Sequence, residues 1–435
     1  MAFVRERRGD PLPTPAAAVR PRSIQEVVLC LQWAAERGMP VVPRGGGSGV
    51  CGAAQPAAKS LVIDLSRMDR IDVDPENLTV DSQAGVYGPE LEAALTPHGL
   101  QLGHVPQSFH ISTVGGWIST KAIGQLSTKY GGIEDRLLGL DAVLADGTVV
   151  SSKRVPRASA GPDWWRMFIG AEGTLGVVTD ATLSVFPIPE HHEWSVWSFE
   201  SMRHGLQFLL RVAQNQIKPS VARLYDPADA AVNFGSLGIE TGALAMLRFE
   251  GELRLLRAES DYAAEIAEDC GGHRADEAAG PHWWDHRFDA VETYRQILTG
   301  NGALGPLGVV DTIEVAHFWK DLPALYESVS QALAQHADMV LAHVSHLYTT
   351  GANIYFTFLI SPKDEGAAEA RYRGAWQAGM EATLAAGATI SHHHGIGLLK
   401  APWISDELGS GMEALRLLKK AFDPKGQMNP GKLGG

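Results

Sequence analysis

Three glycine-bearing segments between residues 40 and 180 constrain the fold of this chain more than any other sequence feature. Each follows or precedes a short apolar stretch, and glycine lets a backbone amide approach a pyrophosphate with no side chain in the way. The segments centre on Pro43, Gly45, Gly46, Gly47, Ser48 and Gly49; on Ser112, Thr113, Gly115, Gly116, Ser119 and Thr120; and on Glu172, Gly173, Gly176 and Val177.

The first segment alone leaves several interpretations open. A Walker loop needs Gly-Lys-Ser/Thr, whereas Val50 follows Gly49. A Rossmann fingerprint opens a helix, and residues 50–56 are a poor helix start. An ordinary tight turn remains an alternative for any one segment, so the prediction of a nucleotide cofactor depends on the three together.

The bulk properties exclude several classes. A chain of 435 residues predicts two or three domains. No apolar run reaches the roughly 18–20 residues of a spanning helix. A net charge of -13 without a dense Lys/Arg cluster argues against nucleic acid as a partner. Three scattered cysteines, Cys30, Cys51 and Cys270, indicate a reducing compartment, and we expect a cytoplasmic protein.

The pattern along the chain predicts an α+β protein. Ser23 and Glu26 form a capping box before a helix that ends near Gly38, and Asp146-Gly147 predicts a hairpin. Helices are predicted at 202–215, 256–269, 321–335 and 364–386, with strands between them. We expect an N-terminal arm at 1–20, a first domain at 21–190, a cap domain at 191–395 and a helical segment at 396–435 that returns to the first domain.

The order of the three segments resembles the FAD-binding domain of the vanillyl-alcohol-oxidase-like, PCMH-type flavoproteins. The resemblance implies a two-lobed FAD-binding domain, a cap with a ferredoxin-like antiparallel sheet, and one extended FAD lined by all three segments. Relatives that tether FAD through the first segment carry a His near the position of Gly47. This chain has none there, and we expect non-covalent FAD.

Further motifs resemble the alkyldihydroxyacetonephosphate synthases, from about residue 22 to the end. They include His104–Ser108, the stretch after Tyr130, Val221–Asp226 and Ile390–Gly397. The resemblance implies a redox-neutral exchange, through a covalent link of the substrate to flavin N5, of the acyl group of acyl-dihydroxyacetone phosphate for a long-chain alcohol. We expect the chain to lack the long N-terminal extension of the eukaryotic synthases. We expect lipid substrates, peripheral membrane contact and a homodimer.

The same resemblance implies the site residues. Tyr355 matches the family's catalytic tyrosine, and Arg295 matches an active-site arginine. His392, His393 and His394 match its histidine-rich stretch, and Arg223 matches a cap arginine that binds substrate. Arginine suits anionic ends, imidazole transfers protons near neutrality, and we expect cations to lower the pKa of Tyr355. A lone Tyr or Arg is more often structural, and three adjacent His residues can also be a fortuitous metal tract.

The main rival is an FAD-dependent dehydrogenase of D-2-hydroxy acids. Its motif has metal-binding His residues where this chain has Tyr348 and Tyr355, and a Glu where it has His393. Because both imidazoles and the carboxylate are replaced, we expect no metal. A non-catalytic flavin-binding protein is the third interpretation.

Overall fold

A computed structural model describes residues 13–239, 242–289, 292–293, 296–297, 302 and 304–434. The strands are β1 (Ala17–Val19), β2 (Val41–Arg44), β3 (Leu61–Asp64), β4 (Ile71–Asp74), β5 (Thr79–Gln83), β6 (Leu100–Gln101), β7 (Leu137–Val143), β8 (Val149–Ser151), β9 (Val177–Ser184), β10 (Phe186–Pro187), β11 (His191–Phe199), β12 (Val221–Tyr225), β13 (Ala243–Gly251), β14 (His273–Arg274), β15 (Val309–Phe318), β16 (Met339–Val344), β17 (Leu347–Tyr348) and β18 (Gly351–Ile360).

The α-helices run between and after these strands. They are α1 (Ile24–Glu36), α2 (Gly88–Leu95), α3 (Val114–Thr120), α4 (Ser127–Tyr130), α5 (Ile133–Arg136), α6 (Met202–Gln214), α7 (Pro227–Phe234), α8 (Leu253–Asp269), α9 (Ala279–His286), α10 (Leu322–Ala334), α11 (Glu365–Ala385), α12 (Ile404–Leu408) and α13 (Gly411–Phe422). No helix in the described part of the chain is long and apolar enough to cross a membrane.

The first compact unit comprises residues 13–124, 131–188 and 393–434. It holds a parallel sheet of order β1-β3-β2 and an antiparallel sheet of order β4-β5-β9-β7-β8. The C-terminal segment joins the parallel sheet, because Met428 bridges Val41 and the Asn429 amide donates to the Val41 carbonyl at 2.7 Å. A core that includes Val27, Leu31 and Ile63 fixes α1 against these strands.

The second unit comprises Gln125–Tyr130 and Pro189–His392. Its sheet is antiparallel, of order β14-β11-β13-β12-β16-β18-β15, with β17 paired to β18. Strand β18 alternates buried Ile354, Phe356 and Phe358 with less buried residues, as expected of a sheet that packs helices on one face. The opposite face carries the polar residues described below.

Most of the predicted elements are confirmed. The Ser23 hydroxyl accepts from the Glu26 amide, as predicted, whereas the Glu26 carboxylate accepts from the backbone amide of Arg22 and not from that of Ser23, as the predicted capping box would require. The four predicted cap helices are α6, α8, α10 and α11. Helix α8 begins three residues earlier than predicted because the Glu252 carboxylate caps the amides of Arg254 and Leu255.

Two expectations about segments are wrong. The arm predicted at 1–20 includes β1, since Ala17–Val19 pair in parallel with Leu61–Ile63 and cover the edge of the sheet. The segment Gln125–Tyr130, predicted within the first domain, belongs to the second unit, where Tyr130 donates to Glu250 at 2.5 Å. A bond across 120 residues leaves no trace in local sequence pattern.

Candidate functional site

The three glycine-bearing segments meet inside the first unit. A Cβ atom on Gly45 would overlap Thr113 Oγ1, and one on Gly46 would overlap the Ile111 carbonyl oxygen. On the other side, a Cβ on Gly173 would lie 3.1 Å from Cγ of Pro43. The Glu172 amide donates to the Ser119 carbonyl at 2.7 Å. The first segment is therefore bordered by the second and third.

The first segment offers hydrogen-bond donors to a ligand. Within the described chain, the backbone amides of residues 46–49 donate to no protein acceptor. Gly47 has a φ of 70°, and a Cβ there would overlap the Arg44 guanidinium. Free amides on glycine backbone fit a pyrophosphate, which needs close donors without side chains. The residues present therefore fit the phosphate part of FAD.

In the second segment, the side chains serve mainly to fix the backbone. Thr113 caps α3 through the Gly116 amide, and the Thr120 hydroxyl donates to the Gly116 carbonyl. The Ser112 hydroxyl accepts from Trp117 Nε1 at 2.6 Å. Gly115 packs against Ala84, with no room for a Cβ. These contacts leave the backbone, rather than the hydroxyls, as the surface for a cofactor.

In the third segment, Glu172 holds the returning C-terminal segment. Its carboxylate accepts from the amides of Ile396 and Gly397, at 2.6 and 2.9 Å. Asn429 donates to the Glu172 carbonyl at 2.6 Å. Burial raises the pKa of Glu172, and the two amides partly offset that rise. Gly176, with a φ of 156°, lies against the Val143 carbonyl, and Val177 begins β9.

A buried imidazole next to these segments lacks a protein partner. His104 is fully buried, and neither ring nitrogen has a hydrogen bond in the described chain. Its ring meets the edge of Trp117 at 5.1 Å, and burial lowers its pKa to about 3. Buried polar atoms are rarely left without a partner, so this orphaned group also fits a cavity completed by a bound cofactor.

The second unit carries a row of polar side chains across four strands. Tyr225 of β12 is opposite His343 of β16, His343 is opposite Tyr355 of β18, and Tyr355 is opposite Glu314 of β15. The rings of His343 and Tyr355 stack with centroids 4.9 Å apart. These residues form what we call the polar row: Tyr225, His343, Tyr355 and Glu314.

Arg223 lies beside the polar row. Its Nη1 donates to the Tyr225 hydroxyl at 3.2 Å, and its guanidinium lies over the Trp283 ring at 4.5 Å. The structure thus brings Arg223 and Tyr355, two of the predicted site residues, onto one face of the sheet. Arg295 lies outside the described residues.

Among the described residues, the net shift of the Tyr355 pKa is upward and not downward as expected; Arg295, the cation predicted to lower it, lies outside the described residues. Burial raises the pKa of the Tyr355 phenol far above its usual range, and the carboxylate of Glu314 raises it further. Thr312 and Arg223 only partly offset this. Sequence reasoning placed the arginines near the phenol but had no signal for Glu314 on the neighbouring strand. The phenol is therefore protonated at neutral pH and suited to donating a hydrogen bond.

The histidine-rich stretch starts beside the polar row. The His392 amide donates to the Glu314 carbonyl at 3.2 Å, and the Ser391 hydroxyl donates to the Glu314 carboxylate at 2.9 Å. His392 Nε2 lies 2.8 Å from the Tyr348 hydroxyl, and its ring stacks on His346 at 5.1 Å. His393 and His394 open the returning segment of the first unit, with ring centroids 4.5 Å apart.

Comparison with known proteins places both units in described families. Residues 15–153 match the FAD binding domain family, and residues 188–433 match the C-terminal domain of FAD linked oxidases. The second match covers more than half of the chain. The chain belongs to the FAD-linked oxidase family. FAD is its cofactor, and its fold is the predicted α+β, PCMH-type arrangement.

Three relatives align with this protein over nearly all of its length. The FAD-linked oxidoreductase YgcU of Escherichia coli K12 is 35% identical over 442 residues, 97% of this chain and 89% of its own. The alkyldihydroxyacetonephosphate synthase of Dictyostelium discoideum is 29% identical, covering 99% and 75%. The glycolate oxidase subunit GlcD of Bacillus subtilis is 29% identical, covering 96% and 89%.

Solved structures of flavoenzymes have a similar fold. An alkyldihydroxyacetonephosphate synthase superposes with a TM-score of 0.78 at 27% identity, covering 95% of this chain and 75% of that one. A substrate-bound p-cresol methylhydroxylase reaches 0.80 at 14% identity, covering 98% and 90%, which shows a shared fold.

Proposed function

We propose that this flavoprotein exchanges the acyl group of an acyl-dihydroxyacetone phosphate for a long-chain alcohol, without net redox change. The observation that carries the proposal is Tyr355, which takes the place of a metal-binding His in the hydroxy-acid dehydrogenase motif. A phenol transfers protons but is a poor substitute for an imidazole ligand. The similarity to an alkyldihydroxyacetonephosphate synthase over almost the whole chain supports the same choice.

The side chains of the second unit fit the charges of such a substrate. Arg223 supplies a permanent, forked donor for an anionic group, and stacking on Trp283 holds its plane. Tyr355, protonated because it is buried, donates a hydrogen bond or a proton next to Glu314. FAD, when bound, supplies an electrophilic ring for the substrate carbon. The assignment of Arg295, His393 and His394 to the site remains part of this proposal.

The proposal extends to the cofactor linkage and the partners. We propose that FAD is bound non-covalently, because Gly47 has no side chain that could tether it. A long-chain alcohol and an acyl ketone phosphate are lipid substrates, so we also propose peripheral contact with a membrane surface. A homodimer and a cytoplasmic location complete the proposal.

The test is a comparison of two substrates on the purified yellow protein without oxygen. With palmitoyl-dihydroxyacetone phosphate and hexadecanol, we expect an ether product and free palmitate while the flavin ends oxidised. With D-lactate we expect no 2-oxo acid and no lasting bleaching. Bleaching with stoichiometric pyruvate, and no ether product, would refute the proposal.

A second candidate is the oxidation of a D-2-hydroxy acid. It is favoured by the similarity to the glycolate oxidase subunit and by the pair His346 and His392, whose ring nitrogens lie within 4.8 Å of one another. Two imidazoles are part of a zinc ligand set. In the same assay, loss of activity after dialysis against a chelator, restored by zinc or manganese, would support this candidate and contradict the expectation of no metal.

A further inference from the structure

A histidine that the sequence motifs did not single out is held in one orientation beside Tyr355. His343 Nδ1 lies 2.9 Å from Oδ2 of Asp229, which is in the first turn of α7. Asp229 is itself buried, and its other oxygen accepts from Asn233 at 2.5 Å. The Asp229 amide is fixed by the Asp226 side chain at 2.8 Å. The carboxylate therefore has little freedom to turn away from the ring.

The partner of Nδ1 determines the protonation pattern of the ring. An ionised carboxylate only accepts hydrogen bonds, so Nδ1 carries the hydrogen of that contact. In the neutral ring, Nε2 then carries the lone pair. Among the described residues, Nε2 of His343 makes no hydrogen bond to protein. The ring thus presents a free acceptor nitrogen, as does an imidazole oriented by a carboxylate in hydrolytic enzymes.

His343 lies between the two tyrosines of the polar row. Its ring stacks on Tyr355 at 4.9 Å on one side and lies 5.3 Å from Tyr225 on the other. The neighbouring ionisable groups are Asp229, the two phenols and Arg223, which binds the Tyr225 hydroxyl. Both phenols have raised pKa values because they are buried. The row therefore holds two protonated phenols, with the cation Arg223 beside it. Its carboxylate, Glu314, already accepts from the Ser391 hydroxyl, which leaves His343 as the imidazole acceptor for a hydroxyl proton.

We propose that His343, oriented by Asp229, is the catalytic base that takes the hydroxyl proton of the substrate at Nε2. Asp229 is a positioning residue. In the exchange reaction, on which this inference rests, the hydroxyl belongs to the incoming alcohol.

The step balances without an oxidant. The O–H bond of the alcohol breaks and its proton goes to Nε2. The alcohol oxygen forms the new C–O bond at the carbon from which the carboxylate leaves with the electron pair of the old one. His343 then returns its proton to solvent.

The test compares His343→Ala and Asp229→Asn with wild type, each loaded with FAD. We expect kcat to fall about 10²–10⁴-fold in His343→Ala, with a smaller change in KM, and added imidazole to restore part of it. Asp229→Asn should lower kcat less. His273→Ala, on the exposed edge strand β14, is the matched control. A His343→Ala enzyme within about threefold of wild type, far inside that range, would overturn the inference.

The same variants separate this inference from the proposed function. Wild-type turnover decides which reaction occurs, and a hydroxy acid also has a hydroxyl proton for His343 to accept. A second measurement needs no substrate: nitrogen-15 NMR of histidine-labelled protein, with the His343 signal assigned from its loss in His343→Gln. We expect hydrogen on Nδ1 and a bare Nε2, and a change of this signal in Asp229→Asn. Hydrogen on Nε2 with a bare Nδ1 would overturn the inference whatever the substrate.

Discussion

At the scale of single residues, the groups around Tyr355 have opposite effects on the pKa of its phenol. Burial and the carboxylate of Glu314 on a neighbouring strand raise the pKa of the phenol, whereas Arg223 lowers it. His343 stacks on its ring. Such a phenol differs from one activated by arginines alone, because at neutral pH it stays in its protonated form, which donates a hydrogen bond.

Replacing Tyr355 by Phe removes one oxygen and little volume. We expect FAD binding and the fold to survive, and turnover with a fatty alcohol and an acyl-dihydroxyacetone phosphate to fall about 10²–10⁴-fold. Tyr262→Phe is the matched control, since Tyr262 is exposed on α8 and, among the described residues, its hydroxyl bonds only Asn215, at 3.0 Å. Equal rates for wild type and Tyr355→Phe at equal flavin content would rule out the assigned role.

The orphaned imidazole of His104 predicts a pH dependence of stability. Its pKa is about 3 in the folded protein, against 6.5 for an ordinary His. Below pH 6.5, His104 binds a proton in the unfolded chain but stays neutral in the folded protein. The free energy of unfolding therefore falls as the pH falls from 6.5 towards 3. Between pH 7 and 5 the loss from this group is about 2 kcal/mol.

Urea unfolding of wild type and His104→Phe at both pH values measures this term. We expect the wild-type free energy of unfolding to drop more than that of the variant, by about that 2 kcal/mol. Identical drops would show that His104 is protonated or partnered in the folded state.

At the scale of elements, the contact of the first two glycine-bearing segments determines whether FAD can be held. Gly46→Val places a side chain against the Ile111 carbonyl oxygen and pushes the loop out of register with its free amides. We expect the purified variant to be colourless. Gly411→Ala, at the start of α13 where a Cβ meets only Leu408 at 3.8 Å, should remain yellow. A yellow Gly46→Val protein would show that the loop does not contact the cofactor.

Helices and strands with local signals were predictable, and pairings between distant elements were not. The helix cap at Ser23 and the turn at Asp146-Gly147 depend only on residues that are close in sequence. Helix α3 contains two glycines and was missed, because Thr113 caps it from outside the apolar pattern. The segment Gln125–Tyr130 belongs to the second unit because of distant hydrogen bonds. Tyr130 bonds Glu250, and Ser127 bonds His346.

In the candidate site, too, contacts between distant elements could not be predicted from the sequence. Motif resemblance identified Tyr355 and Arg223, since each matches a family residue at its own position. It gave no signal for His343 and Glu314, because their position beside Tyr355 arises from register across β16, β18 and β15. It gave none for Asp229, which reaches His343 from α7. A cross-strand row is set by sheet order, and sheet order is not readable from a single strand.

At the scale of the whole molecule, the linkage of the flavin follows from the first segment. Gly47 has no side chain to form a covalent bond, and a φ of 70° favours glycine there. We expect acid precipitation to release all of the flavin into the supernatant. Colour that stays in a washed pellet would mean a covalent attachment elsewhere in the protein.

The reaction that we propose joins an alcohol oxygen to the substrate without net oxidation. The most direct measurement is turnover of acyl-dihydroxyacetone phosphate with an oxygen-18-labelled fatty alcohol, followed by mass spectrometry of the products. We expect a labelled ether, an unlabelled fatty acid and fully oxidised flavin at the end of the reaction. Absence of a labelled ether from FAD-loaded enzyme that oxidises a D-2-hydroxy acid would contradict it.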